Sequence, residues 1–87
     1  MAGYSVSLKS SAAREIDGLP TRAGRQRMVS RIAALADDPR PPGSEKLAGH
    51  EDRLRVRQGR YRIVYAVDDG RRSVVVVKVG HRKDVYR

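Results

Sequence analysis

The chain has 87 residues, of which 19 are Lys or Arg and 10 are Asp or Glu, so its formal net charge is +9. That length suffices for one modest core, and we expect a single domain over residues 1–87. The absence of cysteine excludes a disulfide framework and thiolate chemistry. So large an excess of positive charge attracts a negatively charged partner, which can be nucleic acid, an acidic membrane surface or an acidic protein.

The N-terminal segment MAGYSVSLKSS contains no apolar run of signal-peptide length, and no stretch of the chain approaches the length of a membrane span. We therefore expect a cytoplasmic protein without a membrane partner. Within this segment Tyr4, Val6 and Leu8 alternate with polar residues, which predicts a short half-buried strand.

A short helix is predicted next. Ser10 or Ser11 is a suitable N-cap for it, and Gly18 and Pro20 end it. The apolar residues at helical spacing are Ala12 or Ala13, Ile16 and Leu19.

A longer helix is predicted from about Thr21 to Asp37, ended by Pro39. Its apolar stripe consists of Met28 or Val29, Ile32, and Leu35 or Ala36. The other face carries four arginines, at positions 22, 25, 27 and 31. A solvated surface is the simpler interpretation of these arginines, and additional phosphate contacts are the alternative. The proline-rich segment after the helix is predicted to be a loop.

From Lys46 onward the hydrophobic period changes from helical to two, which is typical of strands. Three strands are predicted, at Arg53–Arg57, Tyr61–Val67 and Ser73–Val79, with turns at Gln58-Gly59 and Asp68-Asp69-Gly70. The middle strand is apolar on both faces, as expected of a central strand. The order strand, helix, helix and three strands predicts an α+β fold, in which a small antiparallel sheet has both N-terminal helices packed on one face.

The most unusual stretch is RLRVRQGRYR at residues 53–62, which holds five arginines and no acid. Leu54 and Val56 alternate with the first three arginines, so a strand here has an apolar face and a guanidinium face. Arginines this close repel one another, and a bound polyanion would relieve that repulsion. We therefore predict that Arg55, Arg57 and Arg62 share one solvent-open face of the sheet, on the side away from the helices.

The C-terminal half contains KLAG at residues 46–49, RLRVRQGRYRIVYAVDD at 53–69 and VVKVGHRKDVYR at 76–87. These motifs resemble the RelE/ParE superfamily of toxins from bacterial type II toxin–antitoxin pairs. The resemblance implies that family's compact fold and an antitoxin partner in another chain, in a heterodimer or heterotetramer. It also implies one of two activities, because RelE-like members cut messenger RNA on the ribosome, whereas ParE-like members inhibit DNA gyrase without chemistry. The RelE-like activity, which inhibits translation, is the interpretation that we favour.

Five site residues follow from the resemblance. Arg55 and Arg57 match a basic pair on one strand of RelE-like enzymes. Arg62 matches the arginine of the YR-x-VY core, Arg82 the basic residue after the last strand, and Tyr86 the C-terminal tyrosine. Arginine suits RNA cleavage because it is always charged and holds two phosphoryl oxygens at once.

Cleavage by the neighbouring 2′-hydroxyl also requires proton transfer. Nearby cations favour a phenolate, so Tyr86 is the candidate base, although it can instead stack on a nucleobase. His81 is the second candidate because imidazole titrates near neutrality, and a phosphate contact or a bystander role is its alternative.

Further RNA contacts are expected at Lys46, Arg53, Arg60 and Lys83. For Arg53 and Arg60, prevention of edge pairing or contact with antitoxin acids is the simpler alternative. Tyr61 and Tyr65 are expected in the core. The sequence shows no metal-binding or cofactor motif, and Glu15, Glu45 and Glu51 are scattered, so we expect metal-free chemistry without a cofactor.

Overall fold

The computed structural model describes residues 3–81. Its elements are β1 (Ser5–Leu8), α1 (Ser10–Asp17), α2 (Arg22–Ala34), β2 (Glu45–Lys46), β3 (Arg53–Gln58), β4 (Tyr61–Asp68) and β5 (Ser73–His81). The α+β class and the order of the predicted elements are confirmed. β2, a strand of two residues, is an addition to the predicted order.

The five strands form one sheet in the order β1-β5-β4-β3-β2. β4 pairs with β3 and with β5 in antiparallel sense, as predicted, and β2 also pairs with β3 in antiparallel sense. β1, however, pairs with β5 in parallel. The sheet is therefore mixed, whereas the sequence predicted a wholly antiparallel one. Antiparallel neighbours need only a short turn, which the sequence displays, whereas a parallel pair is joined by a long crossover. Here α1, α2 and the later strands lie between β1 and β5 in the chain, so no local signal specified their pairing.

The helix ends differ from prediction in two places. Lys9, not a serine, precedes α1 in extended conformation and provides no side-chain cap, so the serine N-cap was wrong. The Lys9 amide is bonded to the Val76 carbonyl, so β5 holds the chain extended up to the first helical residue. The second helix ends at Ala34, and the next three amides bond to carbonyls three residues back, which makes a tighter turn up to Asp37. No helix among residues 3–81 has the length and apolarity required to cross a bilayer.

The core lies between one face of the sheet and the two helices. The predicted stripes are confirmed by the burial of Ala12, Ile16 and Leu19 around α1 and of Met28, Ile32 and Leu35 around α2. The sheet contributes Val56, Ile63, Tyr65, Val67, Val74, Val76 and Val79. Val29, an alternative member of the α2 stripe, is 55% exposed.

Two hairpin turns join the C-terminal strands, and each turn begins one residue later than predicted. Gly59 and Arg60 connect β3 to β4, and Gly59 has a φ of 61°, which glycine adopts without steric cost. Residues 69–72 connect β4 to β5, where Asp68 Oδ1 accepts a hydrogen bond from the Arg71 amide.

The loop after α2 is tied to the sheet at two points. The Tyr65 hydroxyl donates a buried hydrogen bond of 2.8 Å to the Pro39 carbonyl, and burial raises the pKa of this tyrosine, so it remains a donor at neutral pH. Arg40 donates to both carboxyl oxygens of Asp69, at 3.1 and 2.9 Å, and the Tyr4 hydroxyl donates to the same carboxylate at 2.6 Å. Those bonds from Arg40 and Tyr4 hold the pKa of Asp69 below its usual value.

The buried bond to Pro39 gives a stability prediction. Tyr65→Phe leaves the Pro39 carbonyl buried without its donor, so we expect the free energy of unfolding to fall by about 1–3 kcal/mol. Urea denaturation measures the loss. The control is Tyr61→Phe, which removes a hydroxyl at a half-buried position and should change stability by less. Equal losses of unfolding free energy in the two variants would show that the Tyr65–Pro39 hydrogen bond contributes no more to stability than a half-buried hydroxyl does.

Candidate nucleic-acid interface

The register of β3 with β4 decides which side chains share a face. Val56 pairs with Ile63, and both are almost completely buried beneath the helices, with exposed fractions of 1% and 0%. Arg57 pairs with Arg62 in the adjacent row, so both point to the opposite side of the sheet. The arginine face, as we call this side, comprises Arg53, Arg55 and Arg57 on β3 and Arg62 on β4. The structure thus places Arg55, Arg57 and Arg62 on one face, as the alternation predicted.

The spacing on the arginine face is close. Directly opposed residues of an antiparallel pair have Cβ atoms about 4.5–5.5 Å apart, which applies to Arg57 and Arg62. Arg55 lies two residues along β3, or about 7 Å from Arg57. On the other side of Arg62, β5 presents Gly80, which has no side chain to fill the space. Three arginine side chains therefore start from neighbouring positions on this face.

An apolar residue lies among these cations. Val64 is 4% exposed but does not belong to the helix-facing core. Its neighbours across the sheet are Arg55 and Lys78, whose aliphatic stems flank it. The Lys78 Nζ lies 3.2 Å from Glu15 Oε2, and Glu15 Oε1 accepts the Val79 amide at the edge of β5. Val64 is therefore shielded from solvent, and the face presents cationic side chains around it.

Among residues 3–81, Glu45 is an acid that contacts this cluster directly. Glu45 of β2 is the cross-strand neighbour of Arg55, and its Oε2 lies 2.7 Å from Arg55 Nη2. The sequence interpretation, which treated Glu45 as one of several scattered acids, missed this contact. A strand of two residues has no periodicity, so only the pairing of β2 with β3 reveals it.

Two predicted RNA contacts lie away from the arginine face. Lys46 pairs with Leu54, and Leu54 packs against the core. The side chain of Lys46 therefore points to the helix side of the sheet. Arg60 is exposed in the β3–β4 turn, beside a cavity of about 380 Å³ that Arg27 and Thr21 also line. Arg53, the third described member of that predicted set, does lie on the arginine face.

His81 lies on the helix side of the sheet. It pairs with Tyr61, and the two rings meet edge to face with centroids 5.9 Å apart. Val76 faces the helices, so strict alternation of side chains along β5 would place His81 on the arginine face. Val77, however, is an extra residue in β5, because Val76 and Lys78 pair with successive residues of β4, and this bulge reverses the alternation.

The remaining predicted site residues, Arg82, Lys83 and Tyr86, lie outside the described residues. Of the six residues predicted to take part in catalysis, the described structure therefore brings together Arg55, Arg57 and Arg62 and separates His81 from them. Between residues 3 and 81 no group of three or more His, Asp or Glu side chains is arranged to hold a metal ion.

Comparisons with known protein families, sequences and solved structures all find the same class of protein. Residues 6–86 match the family described as ParE toxin of type II toxin–antitoxin system, parDE. The toxin RelG of Mycobacterium tuberculosis is 32% identical over 87 residues, which cover 97% of each chain. Among solved structures, a RelE–RelB complex from Pyrococcus horikoshii matches with a TM-score of 0.82 and 25% identity, over 94% of this chain and 98% of that chain. A RelBE toxin–antitoxin complex of M. tuberculosis matches with a TM-score of 0.77 and 29% identity, over 92% and 99%.

The opposition of Arg57 and Arg62 gives a second prediction. Arg57→Gln removes a directly opposed like charge, so we expect the free energy of unfolding to rise by about 0.2–1 kcal/mol. Urea denaturation at low ionic strength measures the gain, and added salt should reduce it. Arg53→Gln is the control, because Arg53 faces Ala66 across the pair and should gain less. A gain as large for Arg53→Gln would indicate a general charge effect.

Proposed function

The chain belongs to the RelE/ParE family of toxins of type II toxin–antitoxin systems, and we propose that it cleaves messenger RNA on the ribosome and so inhibits translation. In this proposal residues 1–87 are one toxin domain that acts in the cytoplasm, where ribosomes are found. The observation that carries the proposal is the placement of Arg55, Arg57 and Arg62 on one face of the sheet.

The proposed reaction requires no metal ion. The 2′-hydroxyl oxygen of a nucleotide attacks the adjacent phosphorus, a 2′-O–P bond forms and the P–O5′ bond breaks. A base takes the 2′-hydroxyl proton and an acid supplies one to the departing 5′-oxygen. The products are a 2′,3′-cyclic phosphate and a 5′-hydroxyl.

The arginine face supplies the charge that this reaction needs. Negative charge accumulates on the phosphoryl oxygens in the transition state, and fixed guanidinium groups stabilise it without reorganising. Arg57 and Arg62 are opposed closely enough for one phosphate to contact both. Arg55 then contacts the same or the neighbouring phosphate.

For the proton transfer we assign the base to Tyr86, by its match to the family's C-terminal tyrosine, and a supporting cationic role to Arg82. The position of His81 on the helix side supports Tyr86 over His81 as the base. A phenol close to several arginines forms its phenolate more easily than a free phenol does.

The partner in this proposal is an antitoxin encoded as a separate chain. The two structurally similar toxins named above were solved as complexes with their antitoxins. Long-range attraction should bring an acidic segment of the antitoxin toward a chain of net charge +9. We propose a heterodimer or heterotetramer that is inactive while this segment is bound.

A second candidate is inhibition of DNA gyrase by binding alone, because the matched family is described by its ParE member. An inhibitor of this kind performs no chemistry and needs no arginines converging on one phosphate.

The two candidates predict different effects of the toxin in cells. We expect brief expression without the antitoxin to stop protein synthesis within minutes while DNA remains intact, as measured by amino-acid incorporation and by a DNA-damage reporter. The control is a variant with Arg57→Gln and Arg62→Gln together, which should leave protein synthesis running. DNA damage preceding the loss of protein synthesis would support gyrase inhibition and refute the cleavage proposal.

The assignment of the base is tested on ribosome-bound message. Tyr86→Phe keeps the ring but removes the hydroxyl, so we expect the rate of cleavage to fall by roughly 10²-fold or more with little change in binding. His81→Gln should cleave within a few-fold of the wild-type rate. Near-normal cleavage by Tyr86→Phe with collapse in His81→Gln would reverse the assignment. Normal cleavage by both variants would leave catalysis to charge and positioning alone.

A further inference from the structure

We propose that Glu45 competes with the RNA phosphate for Arg55, and that it is a positioning residue that limits how tightly the arginine face binds RNA. This inference rests on the proposed function, because it assumes that the arginine face receives phosphate groups. It adds a residue from an edge strand that neither the sequence motifs nor the family match singles out.

The contact itself is direct. Glu45 Oε2 and Arg55 Nη2 are 2.7 Å apart, a short distance typical of a charge-assisted hydrogen bond. The Arg55 side chain is 27% exposed, whereas that of Glu45 is 66% exposed. Arg55 is thus the anchored member of the pair, and Glu45 is the member that can move into solvent.

Among the acids of the described strands, Glu45 lies nearest to Arg55. Glu45 shares a face with Arg55 because the two are cross-strand neighbours. Among the described strands, the other acid that the register puts on this face is Asp68, at the far end of β4. Asp68 is four residues along β4 from Val64, the partner of Arg55, or about 13 Å. Its Oδ1 accepts the Arg71 amide, and it is Glu45 that contacts Arg55 directly.

Two consequences follow for binding. In the free protein Glu45 holds the guanidinium group of Arg55 on the arginine face and offsets its repulsion with Arg57. A phosphate approaching Arg55 has to displace this carboxylate or share the guanidinium group with it, and the two anions repel. Because β2 has only two residues and Glu45 is largely exposed, displacement should require little energy, as is usual for surface ion pairs.

The salt dependence of binding reports this competition. For single-stranded nucleic acid, the slope of log affinity against log salt is about −0.7 per phosphate neutralised. While Glu45 remains beside Arg55, that arginine neutralises less than one phosphate. Removing the carboxylate should therefore steepen the slope by up to about 0.7.

The test is fluorescence anisotropy with a 2′-O-methyl RNA oligonucleotide, whose blocked 2′-oxygen prevents cleavage, at several salt concentrations. We expect Glu45→Gln to bind about two- to fivefold more tightly than wild type at low salt, from the usual strength of an exposed ion pair, with a steeper slope. The matched control is Glu51→Gln, which changes the net charge equally at an exposed residue that is not part of a described strand. It should produce a smaller gain in affinity and no change in slope.

A double-variant experiment isolates the pair. In an Arg55→Gln background, Glu45→Gln should give no more than the Glu51→Gln effect, because no guanidinium group remains to be released. Thermal unfolding of each variant verifies that it is folded. Equal slopes and affinities for Glu45→Gln and Glu51→Gln would overturn the inference. Loss of cleavage by Glu45→Gln with unchanged binding would also overturn it, since Glu45 would then act in proton transfer.

These outcomes remain distinct from failure of the proposed function. A wild-type protein that binds the oligonucleotide but does not cleave ribosome-bound message would refute the cleavage proposal, while the comparison of Glu45→Gln with Glu51→Gln still decides the competition.

Discussion

Pairing of β3 with β4 places Arg57 directly opposite Arg62, and the rest of the interface depends on how the fold accommodates that repulsion. The opposed charges destabilise the pair by about 0.2–1 kcal/mol. In the adjacent row the same two strands bury Val56 and Ile63, each of which contributes about 1.5–3 kcal/mol. Burial on the helix side therefore outweighs repulsion on the other side, and the strands remain paired with the arginines together.

Two acids of the described chain offset particular cations of the sheet. Glu45 contacts Arg55 on the arginine face, and Glu15 contacts Lys78 at the edge of β5. Each acid belongs to a different element from its cation, since Glu45 lies on β2 and Glu15 on α1. The charge available to a polyanion therefore depends on tertiary contacts as well as on the number of arginines.

The loop between α2 and β2 links the core to this interface. Its Pro39 is bonded to the buried Tyr65 of β4, and its Arg40 is bonded to Asp69 beyond the end of β4. Both contacts hold the chain against the sheet a few residues before β2 begins. The position of Glu45 beside Arg55 thus depends in part on a tyrosine of the core, which the arginine pattern itself does not indicate.

The sequence alone determined the features that depend on local periodicity. Alternation within residues 53–57 specified the two faces of β3, and the spacing of Met28, Ile32 and Leu35 specified the buried side of α2. Only the tertiary structure decided the parallel partner of β1, the contact of Glu45 with Arg55 and the face of His81. Each depends on residues far apart in the chain or, for His81, on one extra residue in β5. Local preferences act over a few residues, whereas strand pairing is decided by which surfaces are buried together when the whole sheet forms.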